Sequence, residues 1–297
     1  MLKLGFIGAG IVGSALAIKL SRQGYPVVAV SSRHPSSASR LAQAVSGCAP
    51  VATNQEVANT ADLVFITTPD DVIASVADQT GWHQGQSVVH CSGADSTEIL
   101  EPARKAGARV GCFHPLQTFA NVKQALTNIP GSTFALEAEE PLLTTLKRLT
   151  AALDGHGIEL KAKDKVAYHT SAVIASNYLV TLVKLASDLW QTFAIPRPQA
   201  IQALLPLIKG TIHNVETVGI PECLTGPIVR GDIGTIKKHL EVLKIIAPDI
   251  ISSYQELGLQ TISIARDKGK INKEQAEELK SVFTKKEVSP RCRSSRK

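Results

Sequence analysis

The 297-residue chain lacks most of the features that would set it apart from ordinary globular proteins. Its longest apolar stretches fall well short of the ~20 residues a membrane span needs, so no membrane partner is expected. Met1 leads directly into a strand-like run, without the basic segment, apolar core and small-residue cleavage site of a secretory signal. The five cysteines, Cys48, Cys91, Cys112, Cys223 and Cys292, are odd in number and scattered, with no CxxC pair. That spacing excludes a disulfide framework and a zinc site, so no metal is expected, and it points to a reducing, cytoplasmic setting. No internal repeat is visible.

A general excess of positive charge is missing too. The formal net charge is +6, but residues 285–297, KKEVSPRCRSSRK, hold six basic residues against one acidic and carry +5 of it. The nearly neutral body excludes a nucleic-acid partner, and the tail is expected to be a disordered, solvated end. What the chain does have is ordinary: 44% hydrophobic and 20% charged residues. At this length a folded chain buries roughly 75% of the surface its unfolded form exposes, enough to hold a core unaided.

Over residues 1–160, short apolar runs alternate with helical patterns, as in a parallel sheet with crossover helices. Strands are predicted at Leu2–Ile7, Val27–Val30, Leu63–Ile66, Ser87–His90, Arg109–Phe113, Thr133–Leu136 and Gly157–Leu160. Helices are predicted at Ile11–Gln23, Asp71–Val76, from Asp95 or Ser96 to Lys105, and from Glu140 to Leu153. From Asp164 onward apolar residues recur at three- and four-residue spacing and strand alternation stops. The expected division is a sheet domain over 1–160, a helical domain over 161–284 and the tail over 285–297. The Val166–Trp190 segment is apolar nearly all round between Ala172 and Leu185, which suits a helix buried in a bundle or at a subunit interface.

Gly8-Ala9-Gly10-Ile11-Val12-Gly13 matches GxGxxG between a strand and a helix, the context that makes this motif a dinucleotide site. Gly8 allows the tight turn, Gly10 the approach of a pyrophosphate, and Gly13 the close packing of helix on sheet. The helix N-terminus adds free N–H groups and the positive end of its dipole. With this motif the predicted fold is α/β, a doubly wound, mainly parallel Rossmann sheet followed by an all-α domain. At the end of the second strand, where an NAD site carries an acid for the ribose, stand Ser31, Ser32 and Arg33. Hydroxyls and a guanidinium suit a 2′-phosphate, so NADP (NADPH) is the expected cofactor. Thr67, Thr68 and Pro69 follow the next strand and are expected to border the same crevice.

Two further strand-end segments carry chemistry, His90-Cys91-Ser92-Gly93-Ala94 and His114-Pro115-Leu116-Gln117-Thr118-Phe119. Both should lie on the edge that bears the glycine turn, and a histidine there can move a proton during hydride transfer. His169 and Asn177 share a helix face with Val173 at four-residue spacing. Arg230, in LTGPIVRGD, could clamp a substrate carboxylate or pair with Asp232 to fix its turn. The candidate catalytic residues are thus His114 and His169, and the candidate substrate contacts Ser92, Gly93, Gln117, Asn177 and Arg230.

Taken together, GFIGAGIVG, TTPDD, HCSGA, HPLQTF, YHTSAVIASNYLV and LTGPIVRGD resemble uncharacterised Rossmann-like oxidoreductases. Those proteins carry a C-terminal domain of unknown function similar to that of 6-phosphogluconate dehydrogenase. More distantly the chain is similar to pyrroline-5-carboxylate reductase and to prephenate dehydrogenase, whose substrate-contacting histidine would fall on His114. The resemblance implies an NADP-dependent oxidoreductase acting on a small carbonyl or imine substrate, and a homodimer formed through the helical domain. A cofactor-binding sensor or scaffold without turnover is the alternative. Related dehydrogenases carry a catalytic lysine four residues before an asparagine, but counting back from Asn177 reaches Val173. Lys165, twelve residues before Asn177, is too far to take that role by the same geometry, which leaves His114 and His169 as the acid or base.

Overall fold

A computed structural model describes residues 1–284; the segment 285–297, for which the sequence predicts a disordered end, lies outside the described residues. The chain divides into two compact units, Met1–Asn177 and a second beginning at Tyr178. The sequence places that division at 160, where strand patterns end. Residues 161–177 are helical yet stay with the sheet, because Lys165 and Tyr168 reach back to it.

The first unit runs β1 (Leu4–Ile7), α1 (Ile11–Arg22), β2 (Val27–Ser31), α2 (Pro35–Ala44), β3 (Ala49–Pro50), α3 (Asn54–Thr60), β4 (Leu63–Ile66), α4 (Asp70–Gln79) and β5 (Ser87–His90). A 3₁₀ turn leads into α5 (Glu101–Lys105), then β6 (Arg109–Leu116), α6 (Val122–Asn128), β7 (Thr133–Ala138), α7 (Leu142–Ala152) and β8 (His156–Glu159). A last helix, α8 (Lys165–Ala172), widens into a π-turn at Val173–Asn177. The strand order is β3-β2-β1-β4-β5-β6-β7-β8, parallel except where β7 runs antiparallel to β6. The first six positions follow the doubly wound order, which places a ligand crevice between β1 and β4 where the winding reverses.

Register decides what meets in that crevice. Ser31, Ile7, Ile66, His90 and Cys112 stand level across β2, β1, β4, β5 and β6, so the loops after β1, β4 and β5 leave at one edge. β6 does not stop there, because antiparallel pairing with β7 carries it on to Leu116 opposite Thr133. His114 therefore projects beyond its neighbours while still paired with Ala135. The sequence ends this strand at Phe113 and makes HPLQTF a loop; the ladder corrects that.

Each face of the sheet has its own core. Phe6, Phe65, Phe113 and Phe134 pack in a row on one face, with centroid separations of 4.9, 5.8 and 4.8 Å. Residues of α1, α2, α6 and α7 cover this face. Val64, Ile66, Val88 and Val110 face the other way, under α3, α4 and α5. Each buried Phe contributes about 1.5–3 kcal/mol of transfer free energy, so the row is a main source of cohesion.

The described residues of the second unit hold helices and no strand: α9 (Tyr178–Gln191), α10 (Arg197–Val218), α11 (Ile233–Ile246), α12 (Ile251–Asp267) and α13 (Lys273–Thr284). Its core belongs to the last three helices, where Ile236, Leu240, Ile262, Leu279 and Phe283 meet. By contrast α9 and α10 expose large apolar residues, among them Val180 at 70% and Leu207 at 67%. The stretch 172–185, expected to be buried in a bundle or at a subunit interface, is thus part-buried to exposed among the described residues. The run Ala162–Gln191 is also long and apolar enough to cross a membrane by length and composition, which corrects the reading that no stretch approaches that length. Its first turns, however, are fastened to the sheet through Lys165 and Tyr168.

Candidate functional site

The glycine turn is held from below by Thr67. Its Oγ1 donates to the Gly8 carbonyl at 2.8 Å and its N–H to the Ile7 carbonyl at 2.8 Å, which joins the loops after β1 and β4. Gly8 has φ +108°, and a Cβ there would stand 2.8 Å from the Thr67 backbone. A Cβ on Gly13 would overlap Thr67 Oγ1, so this position needs glycine for packing. A Cβ on Gly10, by contrast, would meet no protein atom, because Gly10 borders an open cleft.

That cleft, of about 760 Å³, is lined by Gly10, Ile11, Val12, Thr67, Thr68 and Pro69 on one side. His114, Gln117, Phe119, His169, Ser176 and Asn177 are among those on the other. A second cleft of about 370 Å³ lies by the end of β2 and shares Thr68 with the first. The Thr68 hydroxyl oxygen is buried and has no hydrogen-bond partner among the described residues. Two clefts meeting at a glycine turn, a helix N-terminus and an unpaired hydroxyl fit an extended dinucleotide with its pyrophosphate at Gly10.

The second cleft divides the expected 2′-phosphate donors. Ser32 and the exposed Arg33 line it, and none of its lining residues is acidic among the described residues. Ser31 also borders it, but is only 1% exposed, and its hydroxyl donates to Asn54 Oδ1 at 2.8 Å. With its one proton committed, Ser31 holds the loop and Asn54, another lining residue, takes its place as a candidate donor.

In the larger cleft, His114 Nδ1 lies 2.8 Å from the Tyr168 hydroxyl, with the rings perpendicular. The His169 ring stands 6.2 Å from that of His114. Both imidazoles rest against Gly93, where a Cβ would come within 2.7 Å of His169 Cδ2 and 2.8 Å of His114 Nε2. Gly93 is thus the seat of the two rings and lies beneath the cleft. Burial, the nearby Lys165 ammonium and His169 push the His114 pKa down to about 4, so the ring is neutral near pH 7. Burial also pushes the Tyr168 phenol up, keeping its proton on oxygen. His90, fully buried, is lowered to about 3 by burial first and Lys165 second.

The remaining candidates separate. Ser92 is buried, its Oγ 2.9 Å from Asp70 Oδ2 and 2.8 Å from Asp95 Oδ2, so it ties α4 to the loop after β5 and does not line the cleft. Gln117 lines the cleft but folds back on its own loop, its Nε2 3.2 Å from Ser132 Oγ and its Oε1 accepting the Thr118 N–H. Asn177 lines the cleft from the π-turn, together with Val173 and Ser176. Arg230 is exposed and belongs to the second unit. There Asp232 caps α11 through the Thr235 N–H and hydroxyl, and these bonds, with the Arg230 charge, hold its carboxyl below the usual range.

Sequence reasoning missed a buried ionic group below the histidines. Lys165 opens α8 and is only 1% exposed. Its Nζ is 2.7 Å from Cys112 Sγ, 3.3 Å from the Ser92 carbonyl and 3.8 Å from Glu137 Oε2. Glu137 Oε1 in turn accepts from the Thr97 N–H and hydroxyl. Burial raises the Cys112 thiol to about 11 although the ammonium beside it acts the other way, so the sulfur stays protonated. A helix-face count from Lys165 would have put Tyr168 and His169 beside it, but nothing in the local sequence points to Cys112 or Glu137.

Comparison with known proteins agrees with this architecture. Residues 1–115 match a Rossmann-like domain family and residues 132–261 match a domain of unknown function, DUF2520. No curated protein matches the chain. Among solved structures, a Bacteroides fragilis protein provisionally named an NADP oxidoreductase is 25% identical, covering 88% of this chain and 98% of its own at a TM-score of 0.72. A Thermotoga maritima protein is 27% identical over 93% of this chain and 98% of its own, with a TM-score of 0.65. Pyrroline carboxylate reductase from Plasmodium falciparum, solved with NADP bound, is 16% identical over 95% and 98%, at a TM-score of 0.60, a likeness of fold.

Proposed function

We propose that the protein is an NADP-dependent oxidoreductase that transfers a hydride between the nicotinamide and a small carbonyl or imine compound. The observation that carries this reading is a neutral histidine, hydrogen-bonded to a tyrosine, in a cleft that opens directly from the glycine turn. The 25% identical relative provisionally named an NADP oxidoreductase supports the same class. When bound, the nicotinamide supplies the hydride.

The chain's own residues do the rest. Gly10 and the first turn of α1 receive the pyrophosphate, with Thr68 as a hydroxyl donor, while Arg33, Ser32 and Asn54 receive the 2′-phosphate. Tyr168 donates its O–H to His114 Nδ1, which leaves Nε2 as the protonated nitrogen. His114 then hydrogen-bonds through that N–H to the substrate's carbonyl oxygen or imine nitrogen, where negative charge develops, and the product takes its proton from solvent. His169 stands beside it as the second polar contact. The exposed apolar residues of α9 and α10 support a homodimer through the helical unit.

Fluorescence titration with NADPH tests the reading. Saturable binding is expected, and no binding up to about 1 mM overturns it. Arg33→Asp should weaken NADPH binding by about 10- to 100-fold relative to NADH, the equivalent of one charged hydrogen bond. An unchanged preference would remove the 2′-phosphate assignment.

A further inference from the structure

We propose that Lys165 is a positioning residue for the His114 site. Its ammonium fastens the start of α8 to the loop after β5, to β6 and to β7, and sets the charge environment in which the histidine works. This rests on the reading above, in which His114 contacts the substrate.

The contacts define the role. Lys165 is absent from the lining of the cleft, so it does not touch the reacting atoms. It reaches three strands at once, through Ser92 after β5, Cys112 on β6 and Glu137 on β7. Tyr168 and His169 follow it at i+3 and i+4 and so share its helix face. Fixing Lys165 therefore fixes the phenol that bonds His114 and the imidazole that stands against Gly93. The lysine, buried with a carboxylate at 3.8 Å and two further acceptors, also stands close to the buried His90 and the part-buried His114.

The groups near His114 are Lys165, Tyr168 and His169 from α8 and His90 from β5, with Cys112 of β6 beside Lys165. Tyr168 and Cys112 stay protonated and uncharged near neutral pH, because burial raises both. Lys165 is then, ahead of His169, a nearby group whose positive charge opposes a positive charge on the imidazole, adding to the larger effect of burial.

NMR titration of the histidine ring signals in the full-length protein tests this without requiring a substrate, with the His114 signal assigned by its loss in His114→Gln. Lys165→Met, which keeps the length and removes the charge, should raise the His114 midpoint by about one pH unit. Cys112→Ala, which removes a contact but keeps the charge, should leave it in place. Should Lys165→Met fail to fold, Lys165→Gln carries the same expected rise. An unmoved midpoint in the neutral variants, or an equal rise in Cys112→Ala, overturns the proposal. NADPH oxidation measured on the same samples keeps the two readings apart. A midpoint raised in Lys165→Met, together with no turnover by the wild-type protein on any carbonyl or imine, defeats the reaction and upholds the positioning. Turnover with an unmoved midpoint does the reverse.

Discussion

The two units each contain a histidine–tyrosine pair of nearly the same shape. In the first, His114 Nδ1 and the Tyr168 hydroxyl are 2.8 Å apart with rings at 90°. In the second, His239 Nδ1 and the Tyr254 hydroxyl are also 2.8 Å apart, with rings at 80°. Their settings differ. His114 stands above a buried lysine at the edge of a parallel sheet, in a cleft that includes the glycine turn. His239 is exposed on α11, in an apolar groove of the helical unit with Pro227, Ile228 and Leu257. A hydrogen bond of one geometry therefore has two meanings, and the surroundings decide which pair can do chemistry.

The largest way to break that comparison is to remove the rings. His114→Ala should lower turnover roughly 100- to 1,000-fold with little change in NADPH affinity, as for loss of a hydrogen-bond donor to developing negative charge. His239→Ala should leave steady-state turnover within about twofold, the expectation for a change at an exposed side chain. Equal losses in the two variants would mean that the cleft had been assigned to the wrong pair.

A smaller effect is expected from one close-packed glycine in each unit. Gly93→Ala would place a methyl against both imidazoles of the first site and should lower turnover about 100-fold through displacement of His114. Gly258→Ala would press on the Phe283 ring in the second unit and should cost about 1–3 kcal/mol of stability, read from a urea melt, without lowering turnover per folded molecule.

A last effect, read as stability and not as turnover, is the dependence on pH. The His114 and His90 pKa values lie below the ordinary 6.5, at about 4 and about 3, so the unfolded chain binds more protons than the folded one between these values and 6.5. Their contribution is complete above pH 6.5 and is lost as pH falls through the folded values, each by up to about 1.4 kcal/mol per pH unit. Urea midpoints measured from pH 7 to 4 should fall accordingly, and His114→Gln should flatten the slope.

The sheet edge was legible in the sequence because its chemistry is local. The glycine turn, Thr67 to Pro69 and the strand that ends in His90 are each written in adjacent residues. The short helix α3 was legible too and was passed over, since Thr53 and Glu56 form a capping box that the sequence spells out. Other features were not readable. Ser31 was expected to meet a phosphate, but its orientation toward Asn54 depends on a partner 23 residues away. The Lys165 contacts span 53 residues to Cys112 and 73 to Ser92, and no spacing rule connects them. The apolar stripes of α9 and α10 show which residues avoid water, and say nothing about what covers them.

The extension of β6 has a kinetic consequence. Had the strand stopped level with its neighbours, His114 would ride on a loop and would have to be ordered again at each encounter with substrate. Within the ladder its backbone is frozen once, when the sheet forms, and the imidazole keeps only its side-chain torsions to settle. The entropy of orienting the reactive group is thus lost during folding and not during each turnover.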